Sequence, residues 1–150
     1  MAAWSSCGDR VMSEFITNPA PRPTNYLDEQ FWANCANGKL SFQCCLECAT
    51  WRHIPRFMCA KCGSDKWDWR QSSGRGVIYS WTICHMPMSR EFETVLPYAV
   101  LIVELEEGVR ITAGLRELAH QDLTLDLPVE VVFEPLAGGG ALPFFRPRRE

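Results

Sequence analysis

Two Cys-x-x-Cys units constrain this sequence more than any other feature. Ten residues separate them, and they read Cys45-Leu46-Glu47-Cys48 and Cys59-Ala60-Lys61-Cys62. A turn of this kind aims two sulfurs at a point about 2.3 Å away, so two turns complete a tetrahedron around Zn²⁺. Four thiolates leave no coordination position for water or substrate, and metal binding folds a segment too short to bury a core. The sequence therefore predicts one structural zinc ion bound by Cys45, Cys48, Cys59 and Cys62.

The remaining cysteines leave alternatives open. Cys44 would replace Cys45 as a ligand if the register shifted by one residue, although Cys45 gives the Cys-x-x-Cys spacing. Disulfides or a redox pair are the alternatives to zinc, but the N-terminus lacks the apolar core of a signal peptide, which argues against secretion. No run approaches the roughly 18 apolar residues that a membrane span needs. We expect a cytoplasmic protein in which Cys7, Cys35 and Cys84 are buried apolar side chains or idle thiols.

An amphipathic helix is predicted between Asn25 and Asn37. Asn25 is a favourable N-cap, and Asn37 with the glycine that follows provides a stop. Apolar residues recur at four-residue spacing and form one face, namely Leu27, Phe31 and Cys35. This face covers the protein's own core or, because aromatic residues cluster here in a small chain, a partner that Phe31 and Trp32 would anchor. The sequence leaves both interpretations open.

Strand-like segments dominate the second half of the chain. Runs of β-branched and aromatic residues predict strands at 77–83, 99–105, 110–114 and 129–134. The segment 142–145 is predicted to be an edge strand because Pro143 cannot donate a hydrogen bond in a central position. A long loop is expected at 85–97 and one helical turn within 116–128. Four or five strands in about 75 residues suggest a small barrel.

The predicted fold class is mainly β. In chain order we expect a flexible tail at 1–23, an N-terminal helix at 24–38, a zinc-bound segment at 39–72 and the barrel at 73–147. The formal charge of −3 argues against a general nucleic-acid binder. Residues 41–76 are nevertheless basic, with six Lys/Arg against three Asp/Glu, so this segment carries +3 and the rest of the chain −6.

The order of these features resembles a known protein family. The segments that carry the resemblance are the aromatic helix, Phe42-Gln43, Ile54-Pro55-Arg56, Ser73-Gly74-Arg75-Gly76-Val77-Ile78-Tyr79-Ser80, Pro97-Tyr98 and Phe144-Phe145-Arg146-Pro147. Over about residues 25–148 the chain is similar to the zinc-ribbon/OB-fold proteins associated with acyl-CoA enzymes, long catalogued as a domain of unknown function. The resemblance implies a rubredoxin-like zinc ribbon followed by a small OB-fold β-barrel. The chain departs from the family at Asp126, where glycine is frequent, and at Cys44, where a basic residue is common.

The resemblance also implies a partner. Members of the family form heteromeric complexes with a thiolase-like protein, often of the lipid-transfer type, such as 3-oxoacyl-CoA thiolases of aromatic degradation or retro-aldolases of steroid side-chain breakdown. Others are bound or fused to MaoC-type hydratases. In the thiolase-type complexes the nucleophilic cysteine and the acid/base histidines belong to the partner. The chain is therefore expected to be a required, non-catalytic subunit, two copies of which sit on a thiolase-like dimer that acts on an acyl-CoA.

The sequence offers no complete active site of its own. Acyl transfer needs a cysteine within reach of a histidine, and Cys84 and His85 point to opposite faces if they lie in one strand. His53 and His120 are interpreted as packed or solvated side chains. A more specific interpretation of the basic ribbon is that it contacts coenzyme A, because arginine forks suit the phosphates and an aromatic face suits the adenine. The candidates for such contacts are Trp51, Arg52, Arg56 and Lys61; the alternative is that they form only a solvated surface.

Two other functions compete with the thiolase-type subunit. Zinc ribbons and OB-folds both occur in single-stranded nucleic-acid-binding proteins, although the acidic barrel half argues against that use. The second alternative is an accessory subunit of a MaoC-type hydratase.

Overall fold

The computed structural model describes residues 21–87 and 90–149. Almost all of the predicted tail, including Cys7, lies outside these residues. The described chain is mainly β, with one α-helix, a three-stranded ribbon sheet and a closed five-stranded barrel, as predicted. No helix among the described residues is long and apolar enough to cross a membrane.

Helix α1 spans Tyr26–Ala36 and begins as the sequence predicts. The Asn25 side chain accepts hydrogen bonds from the backbone N–H groups of Leu27 and Asp28, at 2.8 and 3.2 Å. These bonds satisfy donors that have no partner within the first helical turn. The end of the helix is also as predicted, since Asn37 caps it and Gly38 adopts the left-handed conformation with φ +69°.

The apolar face of α1 covers the protein's own core. Leu27, Phe31 and Cys35 are all buried, and the helix contacts the first and last strands of the protein. The prediction that an exposed Phe31 anchors a partner is therefore wrong, because only 4% of this side chain is exposed. Trp32 is half-buried and also packs against the core.

The ribbon sheet has the order β2–β1–β3 and is antiparallel throughout. Its strands are β1 Ser41–Cys45, β2 Trp51–Arg52 and β3 Trp67–Gln71. All five residues of β1 are buried, because α1 and the neighbouring strands enclose it. The two Cys-x-x-Cys units lie in the turns that follow β1 and precede β3, at one end of this sheet.

The barrel closes in the order β4–β5–β6–β8–β7, which is the strand arrangement of an OB-fold. Its strands are β4 Arg75–Cys84, β5 Tyr98–Leu105, β6 Arg110–Leu115, β7 Pro128–Pro135 and β8 Ala141–Pro147. The predicted loop at 85–97 contains a 3₁₀ turn at Arg90–Val95, and the predicted turn within 116–128 is a 3₁₀ turn at His120–Asp122. Alternate residues of β5 point inward, so that Leu101 and Val103 are completely buried.

The prediction of an edge strand at 142–145 is wrong. Strand β8 pairs with β7 along its whole length and with β6 in parallel at Phe144 and Phe145, so it closes the barrel. Pro143 is tolerated because the pairing with β6 begins only one residue later, and a missing N–H on that side therefore breaks no ladder hydrogen bond.

Backbone geometry near the start of the barrel accounts for the residues at positions 76 and 126. A Cβ on Gly76 would collide with the backbone carbonyl of Glu104 in β5, so only glycine allows these strands to approach. Asp126, at a position where the sequence departs from the family that it resembles, has φ +61° and donates its N–H to the Ile78 carbonyl at 2.9 Å. Aspartate adopts this left-handed conformation more readily than most residues, which explains how the substitution is accommodated.

Candidate functional site

The four cysteines of the two Cys-x-x-Cys units form one sulfur cluster. The Sγ atoms of Cys45, Cys48, Cys59 and Cys62 all lie within 4.8 Å of one another. The Cys45–Cys62 and Cys48–Cys59 sulfur pairs are both 3.6 Å apart. A tetrahedron with Zn–S bonds of about 2.3 Å has edges of about 3.8 Å, so the cluster has the size that zinc requires.

Hydrogen bonds around the cluster favour thiolates. The Sγ of Cys48 lies 3.2 Å from the Thr50 hydroxyl, which, together with the Thr50 backbone N–H, lowers the pKa of Cys48 to about 6. The backbone N–H groups of Cys62 and Lys61 lower the pKa of Cys59. Such outer bonds orient metal ligands and make them available in the deprotonated form.

The sulfurs also disfavour one another's ionisation. A hydrogen bond from the Ser64 backbone lowers the pKa of Cys62, but the sulfur of Cys48, burial, and the sulfurs of Cys45 and Cys59 together raise it to about 12. Like charges this close disfavour full ionisation unless a divalent cation lies between them. The donor set and its spacing therefore fit a structural zinc ion.

The other described cysteines lie outside this cluster. Cys44 is buried and its Sγ is 3.6 Å from the carbonyl oxygen of Ala49, so it does not take the place of Cys45. Cys35 lies on the buried face of α1, and burial raises its pKa to about 12. Cys84 contacts the hydroxyl of Tyr98 across the β4–β5 pair. Among the described residues, no histidine is hydrogen-bonded to any of these thiols.

Gln43 connects the ribbon sheet to the loop between the two cysteine pairs. It is completely buried in β1, and its Oε1 accepts from Nε of Arg52 at 2.9 Å and from the backbone N–H of Arg56 at 2.7 Å. One buried amide thus holds both a guanidinium and a loop in place. The sequence analysis did not identify this role; a polar residue between buried neighbours in a strand was the available signal.

Several polar atoms around Gln43 are buried without a hydrogen-bond partner. They are Nε2 of Gln43, both terminal nitrogens of Arg52 and Nδ1 of His53. The His53 ring lies 5.0 Å from the Phe31 ring and 5.3 Å from that of Phe42, and this burial lowers the pKa of His53 to about 4. Buried polar groups without partners cost free energy, so the hydrogen-bonding capacity around Gln43 is only partly used within the described residues.

A cavity of about 490 Å³ opens beside Arg52, between the ribbon and the β5–β6 hairpin. The four residues predicted to contact coenzyme A all line it, namely Trp51, Arg52, Arg56 and Lys61. Arg110 and Glu104 form the barrel side of the cavity and are paired with each other at 2.7 Å. The cavity is therefore basic, because the ribbon cations that line it have no carboxylate within 4.0 Å among the described residues.

A second cavity of about 500 Å³ lies at the other end of the β5–β6 hairpin. Its walls are mainly apolar and include Trp32, Phe92, Leu118 and Phe144. The guanidinium of Arg116 covers the Phe144 ring at 3.6 Å, and its charge is paired with Glu134. His120 also lines this cavity, far along the chain from the described cysteines.

Comparison with known proteins identifies both parts of the chain. Residues 32–68 match the family model for the ChsH2 rubredoxin-like zinc ribbon domain, and residues 69–134 match that for the ChsH2 C-terminal OB-fold domain. A solved chain of the Ltp2-ChsH2(DUF35) aldolase is 34% identical, covers 84% of this chain and 98% of its own length, and has a TM-score of 0.76. A DUF35 protein of unknown function from Sulfolobus solfataricus, with 11% identity and a TM-score of 0.57, shares the fold.

Curated relatives add two further similarities. A probable enoyl-CoA hydratase alpha subunit from Thermomonospora curvata is 37% identical over 128 residues, which are 85% of this chain but only 40% of that protein. The chain thus spans less than half the length of this relative. A DUF35 domain-containing scaffold protein from Methanocaldococcus jannaschii is 32% identical over 97 residues, covering 64% of this chain and 68% of that protein. The chain belongs to the DUF35 family, with a ChsH2-type zinc ribbon followed by an OB-fold barrel.

Proposed function

We propose that this chain is a non-catalytic but required subunit that docks on a thiolase-like enzyme acting on acyl-CoA. The observation that carries the proposal is its similarity, across almost the whole solved chain, to the ChsH2(DUF35) component of an Ltp2-ChsH2 aldolase. The sulfur cluster supports a scaffolding role, because four-thiolate zinc sites are closed to substrate. We assign Cys45, Cys48, Cys59 and Cys62 as the zinc ligands.

Co-expression with a thiolase-like protein encoded beside it tests this function. Size-exclusion chromatography with light scattering should give one stoichiometric heteromer of two plus two chains, and thioester turnover should require both components. A chain that elutes alone in the presence of that partner, or that turns over thioesters by itself, would contradict the proposal.

A second candidate is an accessory subunit of a MaoC-type hydratase. The 37% identity to a probable enoyl-CoA hydratase alpha subunit favours it specifically. The same experiment distinguishes the two when a MaoC-type protein is supplied as the competing partner. The single-stranded nucleic-acid alternative gains no support, because barrel arginines such as Arg110, Arg116 and Arg146 are already paired with glutamates.

We also propose that the basic cavity receives the phosphoadenosine end of coenzyme A in the assembled enzyme. Arg52 lines the cavity, and phosphate oxygens are strong acceptors for a guanidinium fork. Arg56 and Lys61 add positive charge at the same cavity, and Trp51 adds an aromatic face for adenine. The substrate's remote end would then be held by this chain while its thioester reacts on the partner.

Arg56→Ala tests the coenzyme contact in the assembled complex. The Michaelis constant for the acyl-CoA should rise while kcat stays near the wild-type value, because only uniform binding is lost. Arg70→Ala is the matched control, since Arg70 is an exposed ribbon arginine outside the cavity lining. Equal Michaelis constants for Arg56→Ala and the wild-type complex would remove coenzyme contact from the proposal.

A further inference from the structure

The ribbon carries a cluster of exposed apolar side chains that its own fold does not use. Tyr26 at the start of α1 and three residues of the 53–58 loop are each more than half exposed: Tyr26 53%, Ile54 61%, Phe57 55% and Met58 60%. The Tyr26 and Phe57 rings are in edge-to-face contact at 5.7 Å, which joins the two segments. We call these four residues the ribbon-loop patch.

The exposed apolar residues of the barrel form a smaller group. Ile102 in β5 is 37% exposed and lies beside Tyr79, at the irregularity in the β4–β5 pairing. The Tyr79 ring is covered by the Arg110 guanidinium at 3.4 Å. Met86 and Leu125 are exposed at separate positions, beyond β4 and before β7. Single exposed apolar residues are ordinary in proteins, whereas contiguous ones mark an interaction surface.

The 53–58 loop is held so that it cannot fold inward and bury its apolar side chains. Pro55 is buried, and the backbone N–H of Arg56 is bonded to the completely buried Gln43. Cys59, at the end of the loop, belongs to the sulfur cluster. A surface ordered before binding loses less conformational entropy when a partner docks, so the loop is suited to recognition.

Charge identifies the kind of surface that covers the patch. Arg56 lies within the loop and Lys61 lies two residues beyond Cys59, and neither has a carboxylate within 4.0 Å among the residues that the structure describes. In a two-fold contact between copies of this chain, these cations would face cations, which disfavours self-association. An apolar hollow on an enzyme that presents anions at its edge, namely the phosphates of its bound acyl-CoA, would instead satisfy both the apolar side chains and the cations.

We infer that the ribbon-loop patch is the surface through which this chain seats on its enzyme partner, in an apolar hollow beside the phosphates of the partner's bound acyl-CoA. The inference depends on the proposed function for the existence of that partner and specifies which part of the chain binds it. Aromatic residues and methionine are enriched at the centres of such interfaces, and Phe57 and Met58 are the expected anchors.

Affinity for the co-expressed partner, measured by titration calorimetry with the full chain, tests the inference. Phe57→Asp and Met58→Asp bury an unpaired carboxylate in an apolar hollow, so each should weaken binding by at least about thirtyfold. The controls Met86→Asp and Leu125→Asp alter side chains that are 81% and 62% exposed and should bind within about threefold of wild type. Zinc content and melting temperature establish that all four variants are folded.

The outcomes separate this inference from the proposed function. If the wild-type complex forms and both patch variants bind as tightly as wild type, the inference is overturned while the function stands. If wild type forms no complex, the proposed function and the inference both fall. A wild-type homodimer that Phe57→Asp dissociates would also overturn the inference, because a second copy would then be the occupant.

Discussion

The barrel and the ribbon differ in whether their charged groups are paired within the described residues. Barrel arginines face glutamates on neighbouring segments: Arg110 pairs with Glu104, Arg116 with Glu134, and Arg146 with both Glu117 and Glu130. In the ribbon, by contrast, Arg52, Arg56, Lys61 and Arg70 have no carboxylate within 4.0 Å among the described residues, and only Lys66 is paired, with Glu47. Among the described residues, the buried side-chain polar atoms without hydrogen-bond partners also lie in the ribbon.

This contrast indicates that the barrel satisfies its own polar and charged groups to a greater extent than the ribbon does. The barrel is internally complete, because its strands close on themselves and every arginine within those strands is paired with a glutamate. Within the described residues, the ribbon leaves cations without carboxylate partners and apolar side chains exposed. A ribbon can remain ordered in this state because a metal replaces the core that it lacks.

Metal removal should affect the ribbon most. Zinc-finger peptides bind structural zinc with an apparent free energy of about 10–16 kcal/mol, so Cys59→Ser or chelation should abolish zinc binding and amide protection across 41–71. The barrel strands should retain their protection. Hydrogen exchange with mass spectrometry measures both regions, and Cys84→Ser is the control. Full ribbon protection in zinc-free protein would contradict the account.

Acidification should weaken the ribbon through His53. Its pKa in the folded protein is about 4 because of burial, below the ordinary 6.5, so its contribution to stability is present above pH 6.5 and lost as pH falls towards 4. The full loss amounts to about 3 kcal/mol. His53→Phe, placed between Phe31 and Phe42, should remove this part of the pH dependence.

Comparison of His53→Phe with wild type by urea unfolding at each pH isolates the effect, because acid-driven zinc release is common to both proteins. His85→Phe, at an exposed position, should follow the wild-type curve. Parallel curves for His53→Phe and wild type between pH 6.5 and 4 would show that His53 is not held neutral by burial.

A close approach between strands makes the barrel sensitive to Gly76→Ala. The added Cβ meets the Glu104 carbonyl, and the strands must separate, at a cost of about 1–3 kcal/mol. Gly138→Ala is a matched control because nothing lies within 4 Å of its Cβ. Thermal unfolding should show a lower melting temperature for Gly76→Ala alone, with zinc content unchanged in both variants.

The smallest effect on melting temperature should come from single arginine substitutions, and we expect it in the barrel but not in the ribbon. Arg146→Ala removes two ion pairs of the barrel, so we expect a small fall in melting temperature. Arg56→Ala removes no ion pair within the described chain, so we expect no fall. A destabilised Arg56→Ala would indicate that the ribbon cations stabilise the fold itself.

The sequence was most informative where local chemistry determines structure. Asn25 capping α1, the two Cys-x-x-Cys turns and the β-branched runs each depend on a few neighbouring residues, and each lies as predicted. The sequence was misleading where pairing is long-range, since nothing near Pro143 indicates that β6 pairs with β8 only from Phe144 onward. Phe31 illustrates the same limit, because an apolar helix face does not specify which surface it covers.

The candidate functional site shows the same difference between features that short motifs predict and features that depend on the fold. Spacing alone was sufficient to predict the sulfur cluster, and residue chemistry was sufficient to select four side chains that line one cavity. The buried connection through Gln43 and the exposed position of Phe57 depend on how the loop folds over β1. Neither is encoded in a short motif.

Hydrogen exchange of the chain, free and bound to the proposed thiolase-like partner, tests the central contrast most directly. The account predicts that slowed exchange on binding is concentrated in the ribbon at residues 51–66, while strands β7 and β8 exchange as in the free chain. Protection gained only on the barrel, with the ribbon unchanged, would contradict it.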